Sequence, residues 1–175
     1  MNVYLIHSCY DDNYLNHQML KEIFPENGKL LYQRNGSSLL VLTNISIIEK
    51  FKGDFSIQKM GKLEDFFDRL GENNLFSLRL NAVKANRRKK FSLYDEEVDD
   101  WVTKKLENIG LEIINCINTR EGVLRSKRKG DYCYHNSVLV NGVMKIRDIE
   151  RFEEAVRNGV GKGKAFGFGL VNIFF

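Results

Sequence analysis

Two apolar spacings alternate along this chain in an order that comes round twice, and this restricts the fold more than any single motif. Residues 2–8 read as a strand, followed by a helix in which Leu15, Met19, Leu20, Ile23 and Phe24 recur at helical spacing. Asp11, Asp12 or Asn13 can cap that helix, and Pro25 with Asn27-Gly28 ends it. Residues 29–34 and 37–43 are apolar runs around Asn35-Gly36, a strong hairpin signal, followed by a short helix at 45–51 and a strand at 55–60. The order strand, helix, strand, strand, helix, strand is the ferredoxin-like unit. It then recurs as a strand at 75–83, a helix at 95–108, strands at 111–118 and 137–144, a helix at 148–158 and a final strand at 166–175. The expected fold is therefore α+β, with two tandem ferredoxin-like (βαββαβ) domains. The first spans 1–72, including a connector (61–72) with a short helix at 62–70, and the second spans 73–175. Residues 119–136 form a longer excursion, read as an extended hairpin that is basic on one side and carries Tyr132-Cys133-Tyr134 on the other.

The segment Gly159-Val160-Gly161-Lys162-Gly163-Lys164-Ala165-Phe166-Gly167-Phe168-Gly169-Leu170 carries five glycines and two lysines. Backbone of this kind can approach a phosphate closely, beside charge that favours one. It is not a Walker A loop: counting back from Gly163-Lys164 puts Asn158 at the first glycine, and Ala165 replaces the hydroxyl residue. A dinucleotide fingerprint fails too, and both motifs run strand, glycines, helix, the reverse of the order here. No nucleotide cofactor is expected. A structural reading of the segment stands beside the phosphate-binding one, with Gly159 as a helix C-cap and the other glycines as strand-edge punctuation.

Composition excludes other classes. No apolar run approaches the ~18 residues of a membrane span, and no secretory signal pattern opens the chain. Cys9, Cys116 and Cys133 are odd in number and widely spaced, which points to a reducing, cytoplasmic setting and away from a zinc site. Net charge is +4, but the cations cluster at Lys84 with Arg87–Lys90, at Arg120 to Lys129, and at Arg157, Lys162 and Lys164. Each cluster alone reads as a solvated loop; their convergence would make a site for a polyanion.

Three histidines offer chemistry. His7 reads as a half-buried strand residue, and His135 lies in the excursion beside Tyr132 and Tyr134. At 100° per residue, Tyr14, His17 and Lys21 fall within about 60° of one another, opposite the apolar side of the first helix. A phenol, an imidazole and an ammonium thus share one helix surface, which is also what an ordinary polar face looks like.

The glycine segment resembles the C-terminal loop of the RAMP superfamily of CRISPR RNA-processing proteins, and its particular string resembles the CasE family. Tyr14-Leu15-Asn16-His17-Gln18, with the turn ending Ile23-Phe24-Pro25, is similar to that family's first helix, and residues 75–82 to the opening strand of its second domain. The resemblance implies RAMP architecture and an endoribonuclease whose cleavage site includes Tyr14 and His17. The implied substrate is the stem-loop of CRISPR repeat RNA, cut to leave a 2′,3′-cyclic phosphate and a 5′-hydroxyl. The mature CRISPR RNA then stays bound, and the protein becomes a subunit of the Cascade complex. No metal or cofactor is implied, since RNA supplies its own 2′-hydroxyl nucleophile.

Histidine suits either proton transfer, tyrosine suits positioning, and Lys21 could stabilise phosphorane charge on geometry alone. Arg125, Lys127, Arg128 and Lys129 on the hairpin are the candidates for tracking the RNA stem, with Gly161, Lys162, Gly163 and Lys164 as a second phosphate contact. A non-catalytic RNA-binding or interaction subunit of the same fold is the alternative. A small-ligand protein of ferredoxin-like fold is a third class, distinguished by binding that does not depend on RNA.

Overall fold

A computed structural model describes residues 1–25, 28–45, 47, 55–86, 89–128 and 131–175. In the first half, β1 (Asn2–His7), β2 (Leu30–Asn35), β3 (Ser38–Thr43) and β4 (Ser56–Lys62) form one sheet in the order β2-β3-β1-β4. Every neighbouring pair is antiparallel, the ferredoxin-like arrangement. Asn35 pairs with Ser38 across a turn in which Gly36 has φ +58°. Helix α1 (Asn13–Ile23) starts where the Asp12 carboxylate accepts the backbone N–H groups of Tyr14 and Leu15. The helix expected at 45–51 falls mostly outside the described residues.

After α2 (Leu63–Phe67) the second half repeats the plan. Strands β5 (Asn74–Asn81), β8 (Leu111–Arg128), β9 (Asp131–Ile146) and β10 (Val171–Phe174) order as β10-β5-β9-β8. Helices α3 (Asp95–Glu107) and α4 (Ile149–Asn158) make the two crossovers. A small hairpin, β6 (Val83–Asn86) with β7 (Lys89–Ser92), stands between β5 and α3 and holds part of the first basic cluster. The sequence pattern did not call for it.

The excursion at 119–136 is a continuation of β8 and β9, whose pairing runs out to Arg128 opposite Asp131 with shifts near Asn115 and Gly122. The hairpin is thus one long ribbon grown from the sheet. The expected last strand is shorter than the apolar alternation suggested. Phe166, Phe168 and Leu170 are all buried, but Gly163, Gly167 and Gly169 have positive φ, so this stretch is a 3₁₀ turn (Lys164–Phe166) and a loop before β10.

Consecutive residues of the first sheet enter different cores, as a period-two backbone requires. Tyr4, Ile6, Tyr32, Leu39 and Val41 pack with Met19, Leu20 and Ile23 of α1. Val3, Leu31 and Leu42 instead join Phe76, Leu78, Phe152, Val156 and Leu170 of the second half in one cluster. The halves therefore share a core, and an ion pair from Arg157 to Glu64 (2.9 Å) crosses the same seam.

One part of the α1 expectation is corrected. Leu15, assigned to the apolar face, is exposed, while Asn16 is fully buried. The Asn16 side chain both accepts from the Tyr10 N–H (2.8 Å) and donates to the Tyr10 carbonyl (2.9 Å). Holding the β1–α1 connection this way turns the helix so that Asn13, Asn16, Leu20 and Ile23 face inward.

Candidate active site

Helix α1 packs against the 3₁₀ turn and against β8, so its polar side meets the second half of the molecule. The Tyr14 ring lies 6.0 Å from Phe166, centroid to centroid. His17 is half-buried, its ring nearly parallel (19°) to that of Tyr32 with centroids 6.4 Å apart. Lys21, in the last turn, is exposed. The imidazole is therefore flanked by aromatic surface and is less open than a solvated helix face would make it.

Tyr32, on β2, connects this helix to the glycine segment. Fully buried, it places its hydroxyl within hydrogen-bonding distance of the carbonyl oxygens of Asn13 and Ala165 (3.0 Å to the latter), and its single proton serves one of them at a time. Burial, and secondarily the Asp12 carboxylate, push its pKa far above the usual phenol value, so it remains a neutral donor. No spacing in the sequence marks Tyr32 for this role. It is one apolar-looking residue in a strand.

The loop that Tyr32 meets is built by its glycines. Gly159 caps α4 at φ +73°, donating to the Ala155 carbonyl (2.7 Å). The Val160 N–H donates to the Gly169 carbonyl (2.8 Å), tying the two ends of the loop together, and a Cβ on Gly167 would lie 3.1 Å from the Tyr32 ring. Gly163 is held at φ +91° with the Phe168 ring 3.0 Å from where a Cβ would stand. Internal packing thus accounts for these glycines. Gly161 and Lys162 are exposed, and Lys164 is half-buried at the start of the turn.

His135 is buried beneath the same loop, 4.3 Å from Phe166 and 5.4 Å from Phe168 between centroids, with Nδ1 3.1 Å from the Asn81 amide. His7 is half-buried, its Nδ1 2.8 Å from Ser38 Oγ.

Among the hairpin candidates, the Arg125 guanidinium lies 3.6 Å over the exposed Tyr132 ring. The side chains of Lys127 and Arg128, and all of Lys129, lie outside the described residues, as do Arg87 and Arg88. The three basic clusters are partly neutralised where they can be seen. Lys84 pairs with Glu97 (2.6 Å), Arg120 with Asp95, and Arg157 with Glu64 and Glu153. Among the described residues no three of His, Cys, Asp and Glu come together as metal ligands, and no helix is long and apolar enough to cross a membrane.

A polar cleft of about 240 Å³ opens between the halves beside the first turn of α1, lined by Asp11, Asn13, Arg34, Arg79, Glu121 and Arg125. Arg79 grips Glu121 through two N–H donors (2.6 and 2.7 Å), and Ser137 donates to the same carboxylate. Burial works against ionisation of Glu121, but the hydrogen bonds from Arg79 and Ser137 and the guanidinium charge together outweigh it and hold the carboxyl below its usual range. Sequence reasoning missed Asn13, Arg34 and Arg79 as cleft residues, because their meeting depends on how the halves dock.

The sequence profile of a family described as CRISPR associated protein matches residues 6–174. No curated protein matches the chain significantly. Among solved structures, a CRISPR endoribonuclease Cse3 bound to a 19-nucleotide RNA superposes with a TM-score of 0.82 at 21% identity, over 100% of both chains. The CRISPR-associated protein Cas6e from Escherichia coli str. K-12 gives 0.70 at 20% identity, over 99% of this chain and 98% of that one. A chain of a CRISPR RNA-guided surveillance complex, pre-nicking, gives 0.72 at 18% identity over 99% of each. With the profile spanning nearly the whole sequence, the chain belongs to this family of CRISPR-associated proteins, and it shares the tandem fold of those structures throughout.

Proposed function

We propose that this protein is a metal-independent endoribonuclease that recognises the stem-loop of CRISPR repeat transcripts and cuts beside it. The observation that carries the reading is the seating of α1, with Tyr14 and His17, against the C-terminal loop that bears Lys162 and Lys164, in a chain that matches an RNA-bound CRISPR endoribonuclease along its full length. In this reading the RNA 2′-hydroxyl loses its proton and attacks the adjacent phosphorus. The P–O5′ bond breaks and the 5′-oxygen takes a proton, leaving a 2′,3′-cyclic phosphate and a 5′-hydroxyl. His17 carries one of the two proton transfers, Tyr14 hydrogen-bonds the reacting group, and Lys21 offers charge to the phosphorane. Residues 1–72 form the domain with the catalytic helix and residues 73–175 the domain with the ribbon and the glycine loop.

Arg125 and its basic neighbours on the ribbon follow the stem by its phosphates, since A-form RNA hides its base edges in a narrow groove. Gly161, Lys162, Gly163 and Lys164 add a second phosphate contact. The product RNA stays bound in a cytoplasmic Cascade complex, a reading supported by the fold shared with a chain of a surveillance complex. Cleavage of a repeat hairpin in EDTA tests the proposal. His17→Ala should abolish cutting while leaving hairpin affinity within about twofold of the wild type, the pattern of a group used in the chemical step alone. Wild-type protein that binds repeat hairpins and cuts none would make it a non-catalytic binding subunit.

A further inference from the structure

We infer that the polar cleft between the halves is a single-nucleotide subsite, taking one unpaired RNA nucleotide next to the cut with its base edge on Asn13 and its phosphate on Arg125. The inference rests on the endoribonuclease reading above and adds to it the unpaired nucleotide beside the stem, whose phosphate Arg125 takes at the edge of the ribbon's track.

Most of the cleft's polar capacity is spent internally. Arg34 donates to the carbonyls of Gly36 and Asp11 and pairs with the Asp11 carboxylate, while Arg79 donates to Glu121 and to the Arg34 carbonyl (2.9 Å). Beside the small Ser126 hydroxyl, two larger groups are left over among the described residues. One is the Asn13 carboxamide, only 9% exposed, whose Oδ1 is buried and has no hydrogen-bond partner among the described residues. The other is the Arg125 guanidinium, laid on the Tyr132 ring and making no ion pair among the described residues. A buried polar atom without a partner is costly to fold, which marks a place where something else completes the bond.

The chemistry of the two groups selects the ligand. A carboxamide presents a donor and an acceptor side by side, the complement of a nucleobase edge, and a guanidinium suits a phosphate or stacks on a base. Three arginines against two carboxylates leave the lining with a small net positive charge, enough for one phosphodiester and ill matched to a polyphosphate. The volume admits one base and excludes a duplex. Position on the helix gives the register: Asn13 lies four residues before His17 on the same helix face, about 6 Å along the axis. A nucleotide seated there is neighbour to the phosphate at His17. Unpaired nucleotides are also the part of an RNA whose base edges a protein can reach.

The test uses the full chain and a synthetic repeat hairpin with unpaired nucleotides on both sides, together with hairpins carrying an abasic sugar on one side of the mapped cut or the other. Asn13→Ala should weaken binding of the intact RNA roughly tenfold or more, the range of a two-point base contact. One of the two abasic hairpins should weaken wild-type binding by a similar factor and Asn13→Ala no further. Asn13→Asp keeps the shape, removes the amide donor and should behave like the alanine variant. Asn13→Ala, which removes an unpartnered buried polar atom, should unfold at denaturant no lower than wild type, so a folding defect cannot imitate the result. If wild type and Asn13→Ala bind the intact and both abasic hairpins alike, the cleft holds water only and the subsite is overturned while the nuclease stands. A wild-type protein that neither binds nor cuts the hairpin overturns the endoribonuclease reading and the subsite with it.

Discussion

Replacing Gly169 by alanine separates the two demands that the C-terminal loop makes on its glycines, a left-handed backbone and close neighbours. Gly169 has φ +84°, and a Cβ there would stand 2.3 Å from the Val160 carbonyl oxygen and 3.0 Å from its nitrogen. Those atoms are backbone and cannot rotate aside. The Gly169 carbonyl accepts from Val160 N–H (2.8 Å) and its N–H donates to the Arg79 carbonyl (2.8 Å), so relieving the clash breaks one or both bonds. The left-handed conformation costs an L-residue about 1–2 kcal/mol. Leaving one or two buried backbone groups unpaired adds about 1–3 kcal/mol each, for a total of roughly 2–8 kcal/mol.

Gly122, at φ +85° in the ribbon with nothing within 4 Å of its would-be Cβ, supplies the control. Gly122→Ala should cost only the conformational part, about 1–2 kcal/mol. Thermal unfolding followed by circular dichroism measures both. At about 2–4 °C per kcal/mol for a chain of this size, Gly169→Ala should melt roughly 4–32 °C below wild type, a larger loss than in Gly122→Ala. Equal losses in the two variants would refute the argument that contact, beyond backbone sign, dictates glycine at 169.

Two further outcomes follow from the charges. The Arg157 guanidinium holds Glu64 well below the usual carboxylate range, at about 2, with its own backbone contributing. Because the folded value lies below the unfolded one, the stabilisation is complete above about pH 4.5 and is lost as pH falls toward 2. Glu64 is half exposed, so solvent screening limits the effect: Glu64→Gln should lower stability by at most ~1 kcal/mol at pH 7 and converge with wild type near pH 2, read by urea midpoints across that range. For RNA binding, Lys162→Ala should weaken hairpin affinity and reduce the slope of log affinity against log salt by about one, as expected for one lost phosphate contact. An unchanged slope would remove Lys162 from the RNA path.

The order of the sheet strands in both halves, with α1, α3 and α4, was legible where it rests on local chemistry: the Asn35-Gly36 turn, the Asp12 cap, Pro25 after α1 and the glycine after α4; the β6–β7 hairpin was not. The resemblance carried by Tyr14, His17 and the glycine segment pointed to the family that the full-length profile match shows. Where local pattern and tertiary structure disagreed, a long-range hydrogen bond or contact decided. Helical spacing put Leu15 inside and left Asn16 unassigned, and the bond pair from Asn16 to Tyr10 reversed them. Alternation of Phe166, Phe168 and Leu170 imitated a strand, because buried loop residues can alternate with glycines as strand residues alternate with polar ones.

The sequence by itself determined the repeated βαββαβ plan and the residue types available for RNA chemistry, since periodicity, caps and turns act within a few residues. Only the tertiary structure decided that the first sheet buries both faces, that Tyr32 reaches Ala165 across 133 positions of chain, and that Asn13 and Arg125 line one cleft. Such meetings depend on how two independently patterned halves dock, and the period of a strand or helix says which residues share a face without saying what that face will touch.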